Sequence, residues 1–144
     1  MLLSKAGENA YVWFAIGVVG AVVDADRRWQ WVVMALSGPL AIVINFGIKL
    51  IFRRPRPQLD GLPPLGGAPS SLSFPSAHAT ASFTAATVAT RISPDLAPAL
   101  YGLATLMALT RPYLGMHYPS DVLAGAGLGL GFGLVIPLPD ASGT

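Results

Sequence analysis

Five uncharged stretches divide the chain: Ala10 to Val23, Trp29 to Ile48, Ala79 to Thr90, Leu96 to Thr110 and Val122 to Pro139. A membrane span takes about 20 mostly apolar residues, within a range of about 17 to 25. The second and fifth stretches meet that length outright. The other three reach it only by borrowing interfacial residues at each end. The pattern predicts an all-α fold, a polytopic membrane helical bundle of about five transmembrane helices. A soluble bundle of buried helices is the competing reading. The first stretch, between Lys5 and Ala25, also resembles a signal-peptide core, but acidic Glu8 ahead of it argues against that use. Trp13, Trp29 and Trp31 fall near the ends of the first two stretches, where an aromatic belt would lie.

The connections are unequal. Asp24 to Arg28 is a tight polar turn, and Arg91 to Asp95 is another, with Pro94 and Pro98 suited to a helix start. Phe52 to Phe74 is long, and its Gly, Pro and Ser content cannot sustain a helix. A loop of that length is usually functional or disordered. The part from Gln58 to Phe74 is expected to lie over or beside the site at the membrane surface. The last stretch reads GAGLGLGFG from Gly125 to Gly133. At helical spacing Gly125, Gly129 and Gly133 form one close-approach stripe, and Gly127 with Gly131 a second. Such a stripe suits an inner helix of a tight bundle, and its other use is homo-oligomer contact.

Composition supports the membrane reading. Hydrophobic residues make up 53% of the 144 and charged residues only 11%, against about 25% charged in soluble domains. The length fits one domain, residues 1–144. Nine basic and seven acidic residues give a net charge of +2, too even for a nucleic-acid footprint. Without cysteine there are no disulfides, thiolate nucleophiles or Cys-ligated metals.

The few ionisable groups sit at particular helix ends, and such groups beside a membrane span are functional candidates. Lys49 closes the second helix, with Arg53, Arg54 and Arg56 after it. His78 opens the third helix, Arg111 closes the fourth, and His117 and Asp121 open the fifth. Up-and-down threading brings all of these ends to one side of the membrane. Lys49, Arg56 and Arg111 around one point call for a polyanion, since Arg forks match phosphate oxygens. Ser76 suits an N-cap, and free N–H groups at that helix start, Ala77 included, make an anion site. Two histidines supply a nucleophile and an acid, or an acid and a base. Asp121, four residues after His117, can orient its ring. No acidic pair is available for a two-metal site. Phosphoryl transfer through a phosphohistidine, without metal or other cofactor, uses all of these groups. Arg27, Arg28 and Arg91 read as interfacial charges only.

These residues resemble the motifs of the type 2 phosphatidic acid phosphatase (PAP2) superfamily, written K-x6-R-P, P-S-G-H and S-R-x5-H-x3-D. The first is matched by Lys49-LIFRRP-Arg56-Pro57. The second is matched by Pro75-Ser76-Ala77-His78, with Ala for Gly. The third is matched by Thr110-Arg111-PYLGM-His117-YPS-Asp121, with Thr for Ser. Arg54-Pro55 offers a competing register, and the family spacing selects Arg56. The resemblance implies that His117 attacks phosphorus, Asp121 holds its tautomer, and His78 protonates the leaving oxygen and then activates water. It implies that Lys49, Arg56, Ser76, Ala77 and Arg111 bind the phosphate oxygens.

The membrane helices favour a lipid phosphate, polyprenyl-type or phosphatidate-type, hydrolysed by an integral protein of a bacterial cell membrane, with membrane lipids and substrate as its partners. A lipid phosphotransferase would show itself with an added acceptor alcohol. A non-catalytic scaffold or transporter would release no phosphate. The positive-inside rule leaves orientation open, since each side carries three non-catalytic cations.

Overall fold

The computed structural model describes residues 11–58 and 70–141. Five α-helices follow one another: α1 Tyr11–Val23, α2 Arg28–Phe52, α3 Ala77–Ile92, α4 Ala97–Tyr113 and α5 Pro119–Val135. Single 3-10 turns at Ala25–Arg27 and Pro94–Leu96 lead into α2 and α4. Each uncharged stretch became one helix, and each turn signal a boundary. Only the helical segment Ala25–Phe52, 28 residues, is long and apolar enough by itself to cross a membrane, among the described residues. The others run 13 to 17 residues. At 1.5 Å per residue the longest of these spans about 25 Å, short of a hydrocarbon core of about 30 Å. Of the segment expected over the site, residues 59–69 lie outside the described residues.

α3 is the hub and packs against all four other helices. It is rich in Ala, Ser and Thr, and twelve of its 16 residues are buried. Small side chains let its neighbours approach closely, and three of its hydroxyls are satisfied locally: Thr80, Thr84 and Thr87 donate to the carbonyls of Ser76, Thr80 and Phe83. Large apolar side chains face outward from the other helices, among them Val18, Leu36, Val43, Phe46, Leu106, Leu123 and Leu134. In water that surface would be a liability, and in lipid it is the expected exterior.

The glycine stripe faces inward. A Cβ on Gly125 would come within 2.6 Å of the Ser76 carbonyl oxygen, one on Gly129 within 2.5 Å of the Thr80 oxygen, and one on Gly133 within 2.5 Å of Thr87 Cβ. These three glycines seat α5 on α3, so this stripe is filled inside the chain and not by a second copy. Gly127 and Gly131 meet nothing within 4 Å. Gly129→Ala should therefore lower stability by roughly 1–3 kcal/mol through overpacking, and Gly127→Ala should be neutral or slightly stabilising. Thermal unfolding in detergent would measure both, and equal midpoints would refute the packing account.

Two of the three tryptophans do not form a belt. Trp13 and Trp31 are buried, whereas Trp29 is exposed. Trp13 Nε1 donates to Ser82 Oγ (3.0 Å) and Trp31 Nε1 to Asp24 Oδ2 (3.0 Å). Each indole found a polar partner inside the bundle, which removes the cost that would hold it at the interface. They join Met34, Val88, Ile92, Leu100 and Met107 in the main core.

At the end away from the motifs, two of the arginines read as simple interfacial charges cap helix ends. Arg91 donates to the Gly133 and Ile136 carbonyls, both at 2.7 Å. Arg27 pairs with Asp24 and donates to the Ile92 carbonyl. Both satisfy carbonyls that a helix C-terminus leaves open.

Candidate active site

The motif end of the bundle is built where α2 and α4 finish and α3 and α5 begin. α2 stops at Arg53, whose φ of 48° is left-handed and whose N–H returns to the Lys49 carbonyl at 2.9 Å. That turn sends the chain back along the helix ends. The next residues are pinned by Ser73, whose N–H donates to the Arg54 carbonyl (2.8 Å) and whose hydroxyl donates to the Pro55 carbonyl (2.9 Å). An isolated antiparallel bridge joins Pro55 to Leu72. The arginine pair is thereby held on a short, fixed segment.

From there the two arginines part. Arg56 donates through Nε to the Ser70 carbonyl (2.8 Å) and through Nη1 to the Met116 carbonyl (2.7 Å). The same Nη1 lies 3.3 Å from His117 Nε2. Arg54 turns away and reaches Asp121 Oδ1 at 2.9 Å and Ser120 Oγ at 2.8 Å, with its guanidinium 4.1 Å above the Tyr118 ring. Arg56 thus faces the histidine, and Arg54 faces the carboxylate behind it. The sequence reading gave Arg54 no place in the site. Its signal was the R-P-R-P repeat, which puts two guanidiniums two residues apart and lets them face opposite ways.

Lys49 is buried on the last turn of α2, with two of its protons on the Leu72 (3.2 Å) and Ser73 (3.1 Å) carbonyls. Ser76 caps α3 by accepting from the Ala79 N–H at 3.5 Å, and its own N–H donates to the Asp121 carbonyl at 3.0 Å. Ala77 and His78 are the first two residues of α3, so their N–H groups stand outside the helix ladder. Arg53 is the one non-glycine residue of positive φ among those described. Ala77 therefore needs none of the freedom a glycine would bring. Asn45 ties α2 to this helix start by donating to Thr80 Oγ1 at 2.9 Å.

Arg111 is fully buried, with Nη1 3.6 Å from Met116 Sδ. Its charge is felt at His117, together with those of Arg56 and Lys49. Burial first, then Arg56 and Lys49, push the His117 imidazole down to about 3. A guanidinium can only donate, so Arg56 can hydrogen-bond His117 Nε2 when the ring proton sits on Nδ1. Nδ1 lies 3.6 Å from Asp121 Oδ2 and has no hydrogen-bond partner. Asp121 is itself fully buried, and Oδ2 accepts from the Tyr118 N–H at 2.9 Å. His78 Nε2 is buried without a partner as well.

A cavity of about 350 Å³ collects these groups. Lys49, Arg56, Ala77, His78 and His117 line it together with the apolar Ile42, Val43, Phe46 and Met116. Asp121, Ser76 and Arg111 stand outside that lining and hold those that form it. Among the described residues, no three His, Asp or Glu side chains gather as a metal site. The arrangement can hold a phosphate among cations, with a neutral imidazole nitrogen on one side.

The PAP2 superfamily model matches residues 30–138. Decaprenylphosphoryl-5-phosphoribose phosphatase of Mycolicibacterium smegmatis is 40% identical over 123 residues, covering 85% of this chain and 67% of that protein. The crystal structure of Aquifex aeolicus LpxE superposes with a TM-score of 0.75 at 28% identity, covering 93% of this chain and 80% of that one. The transmembrane PAP2-type phosphatidylglycerolphosphate phosphatase of Bacillus subtilis superposes with a TM-score of 0.72 at 27% identity, covering 92% and 70%. Motifs, fold and relatives agree, and the chain belongs to the PAP2 superfamily as a membrane-embedded lipid phosphate phosphatase.

Proposed function

We propose that this chain, acting as one catalytic domain, hydrolyses a phosphate monoester or diphosphate of a polyprenyl-type lipid in two displacements. The observation that carries the reading is the placement of His117, which lines one cavity with Lys49, Arg56 and His78 and brings its Nε2 to 3.3 Å from Arg56 Nη1. Nε2 attacks phosphorus, the ester P–O bond breaks, and His78 gives its proton to the leaving oxygen. His78 then takes a proton from water as that oxygen attacks phosphorus, and the N–P bond breaks to release phosphate. Lys49 and Arg56, with the Ala77 N–H, hold the equatorial oxygens, and Arg111 and Ser76, set behind the lining, support them through charge and the helix cap. Asp121 stabilises the charge that appears on the ring.

The apolar wall of Ile42, Val43 and Phe46 supports a lipid tail lying along α2, because Val43 and Phe46 are also exposed on the outer surface. The name of the mycobacterial relative supports a polyprenyl tail over a diacylglycerol one. All five helices cross the bilayer in this reading, the short ones by borrowing flanking residues and thinning the membrane locally.

Purified protein tested on a panel of lipid phosphates, with phosphate release as the readout, checks the function. Polyprenyl phosphates should be the best substrates, and no release from any member would sink the proposal. Turnover should survive excess EDTA, since the cations of the site are side chains. Loss in chelator with recovery in Mg²⁺ would contradict that. Vanadate should inhibit competitively.

The depressed His117 ring makes a second test. In the free protein it should remain neutral at pH 5, whereas an unfolded histidine, with its ordinary value of 6.5, would be charged. A bound phosphate offsets Arg56 and Lys49, which favours the charged ring, so its value should rise and binding should take up protons. Ring-nitrogen NMR across pH 4–8, with and without phosphate, reads both. A ring titrating near 6.5 in the free protein would refute the burial account.

A further inference from the structure

Asp121 divides its two oxygens between different partners. Oδ2 accepts the Tyr118 N–H and faces His117 Nδ1 at 3.6 Å. Oδ1 is held at 2.9 Å by Arg54 Nη1. The carboxylate is fully buried, while the Arg54 side chain is 39% exposed. A buried carboxylate without a cation is costly, and Arg54 is in salt-bridge contact with it. Arg54 is braced in turn on three sides. Its backbone carbonyl is pinned by Ser73, its Nη1 also reaches Ser120 Oγ, and its guanidinium stacks on Tyr118. Tyr118 directly follows His117. The guanidinium therefore holds both the carboxylate and the loop that carries the histidine.

We propose that Arg54 is a positioning residue for the phosphoryl-transfer step: by clamping Asp121 Oδ1 it turns Oδ2 onto His117 Nδ1 and so keeps the Nε2 lone pair aimed at phosphorus. This rests on the reading of His117 as nucleophile given above. The two arginines of the R-P-R-P segment then act on opposite faces of one imidazole. Arg56 works at Nε2, where the phosphate binds, and Arg54 works through Asp121 at Nδ1. Arg54 does not touch substrate, so its loss should appear in the chemical step and not in binding.

The test compares Arg54→Gln and Arg54→Lys, each alone and combined with Asp121→Asn, in the full chain in detergent. Turnover of a lipid phosphate is measured beside inhibition by inorganic phosphate. Misplacing a reacting group by about 1 Å costs about 100-fold in rate, so Arg54→Gln should lower kcat by that order. KM and phosphate inhibition should stay within about threefold, since the oxygens are held by other cations. Arg54→Lys keeps the charge and should recover part of the rate. On top of Asp121→Asn, either Arg54 variant should cost little more, because the group it positions is already lost. A full additional loss in the double variant, or an Arg54→Gln effect that falls on KM and phosphate inhibition, would show a mere tether or a phosphate ligand and overturn the proposal. His117→Ala serves as the control. If it keeps activity, the nucleophile assignment fails. If it is dead while Arg54→Gln turns over normally, only the positioning role fails.

Discussion

His117→Ala is expected to lose turnover by on the order of 10⁶-fold, as removal of a nucleophile does elsewhere, and to lose covalent labelling with it. Acid-quenched protein mixed with labelled lipid phosphate should carry label in the wild type and none in the variant. The basis is the placement of the ring. His117 lines the cavity, and its Nε2 lies 3.3 Å from Arg56 Nη1. Among the described residues no salt bridge joins His78 to a carboxylate, and its Nε2 is buried at the start of α3. His78→Ala should slow both steps, with the smaller loss for aryl phosphates, whose leaving oxygen needs less protonation. Label kept by His117→Ala and lost by His78→Ala would show the roles reversed.

The second large effect belongs to Asp121. Asp121→Asn should lower kcat by about 10⁴-fold with KM little changed, following the loss seen when a triad carboxylate becomes an amide. An amide facing Nδ1 can donate, which favours the proton on Nε2 and occupies the attacking lone pair. The folding cost should be small by comparison. The substitution removes a buried charge, and the exposed part of Arg54 can turn to water. Steady-state kinetics with an unfolding midpoint separates the two. A rate loss below tenfold would mean that the 3.6 Å contact carries no part of the chemistry.

The helices were readable because charges are scarce: each uncharged stretch is one helix, and each polar break is a turn. The motif residues converge because alternating helices must bring those ends together. What the pattern could not carry is direction around each helix axis. Trp13 and Trp31 turn inward because Ser82 and Asp24 offer acceptors from other segments, and no local spacing shows that. The same blindness applied to Arg54, whose partner lies 67 residues away. The glycine stripe was recognised as a close-approach surface, but its occupant, α3, is defined only once the bundle is closed. Span length was overread, since among the described residues four of the five helices are too short to cross by themselves.

The threonine- and alanine-rich character of α3 bears on how the protein gets into its membrane. Its apolar content is low, and it shows lipid almost none of its large side chains because it has only Phe83, Val88 and Ile92 to show, of which Val88 and Ile92 are buried. Hydrocarbon offers little reward for taking up such a segment alone. α2, which is long and apolar, can enter first, and α5 brings the glycine face that α3 needs. The central helix is therefore the one whose seating depends on its neighbours, and it carries His78 and the Ser76 cap with it. Catalytic competence thus requires α5 seated on α3, with the Asp121 carbonyl on the Ser76 N–H.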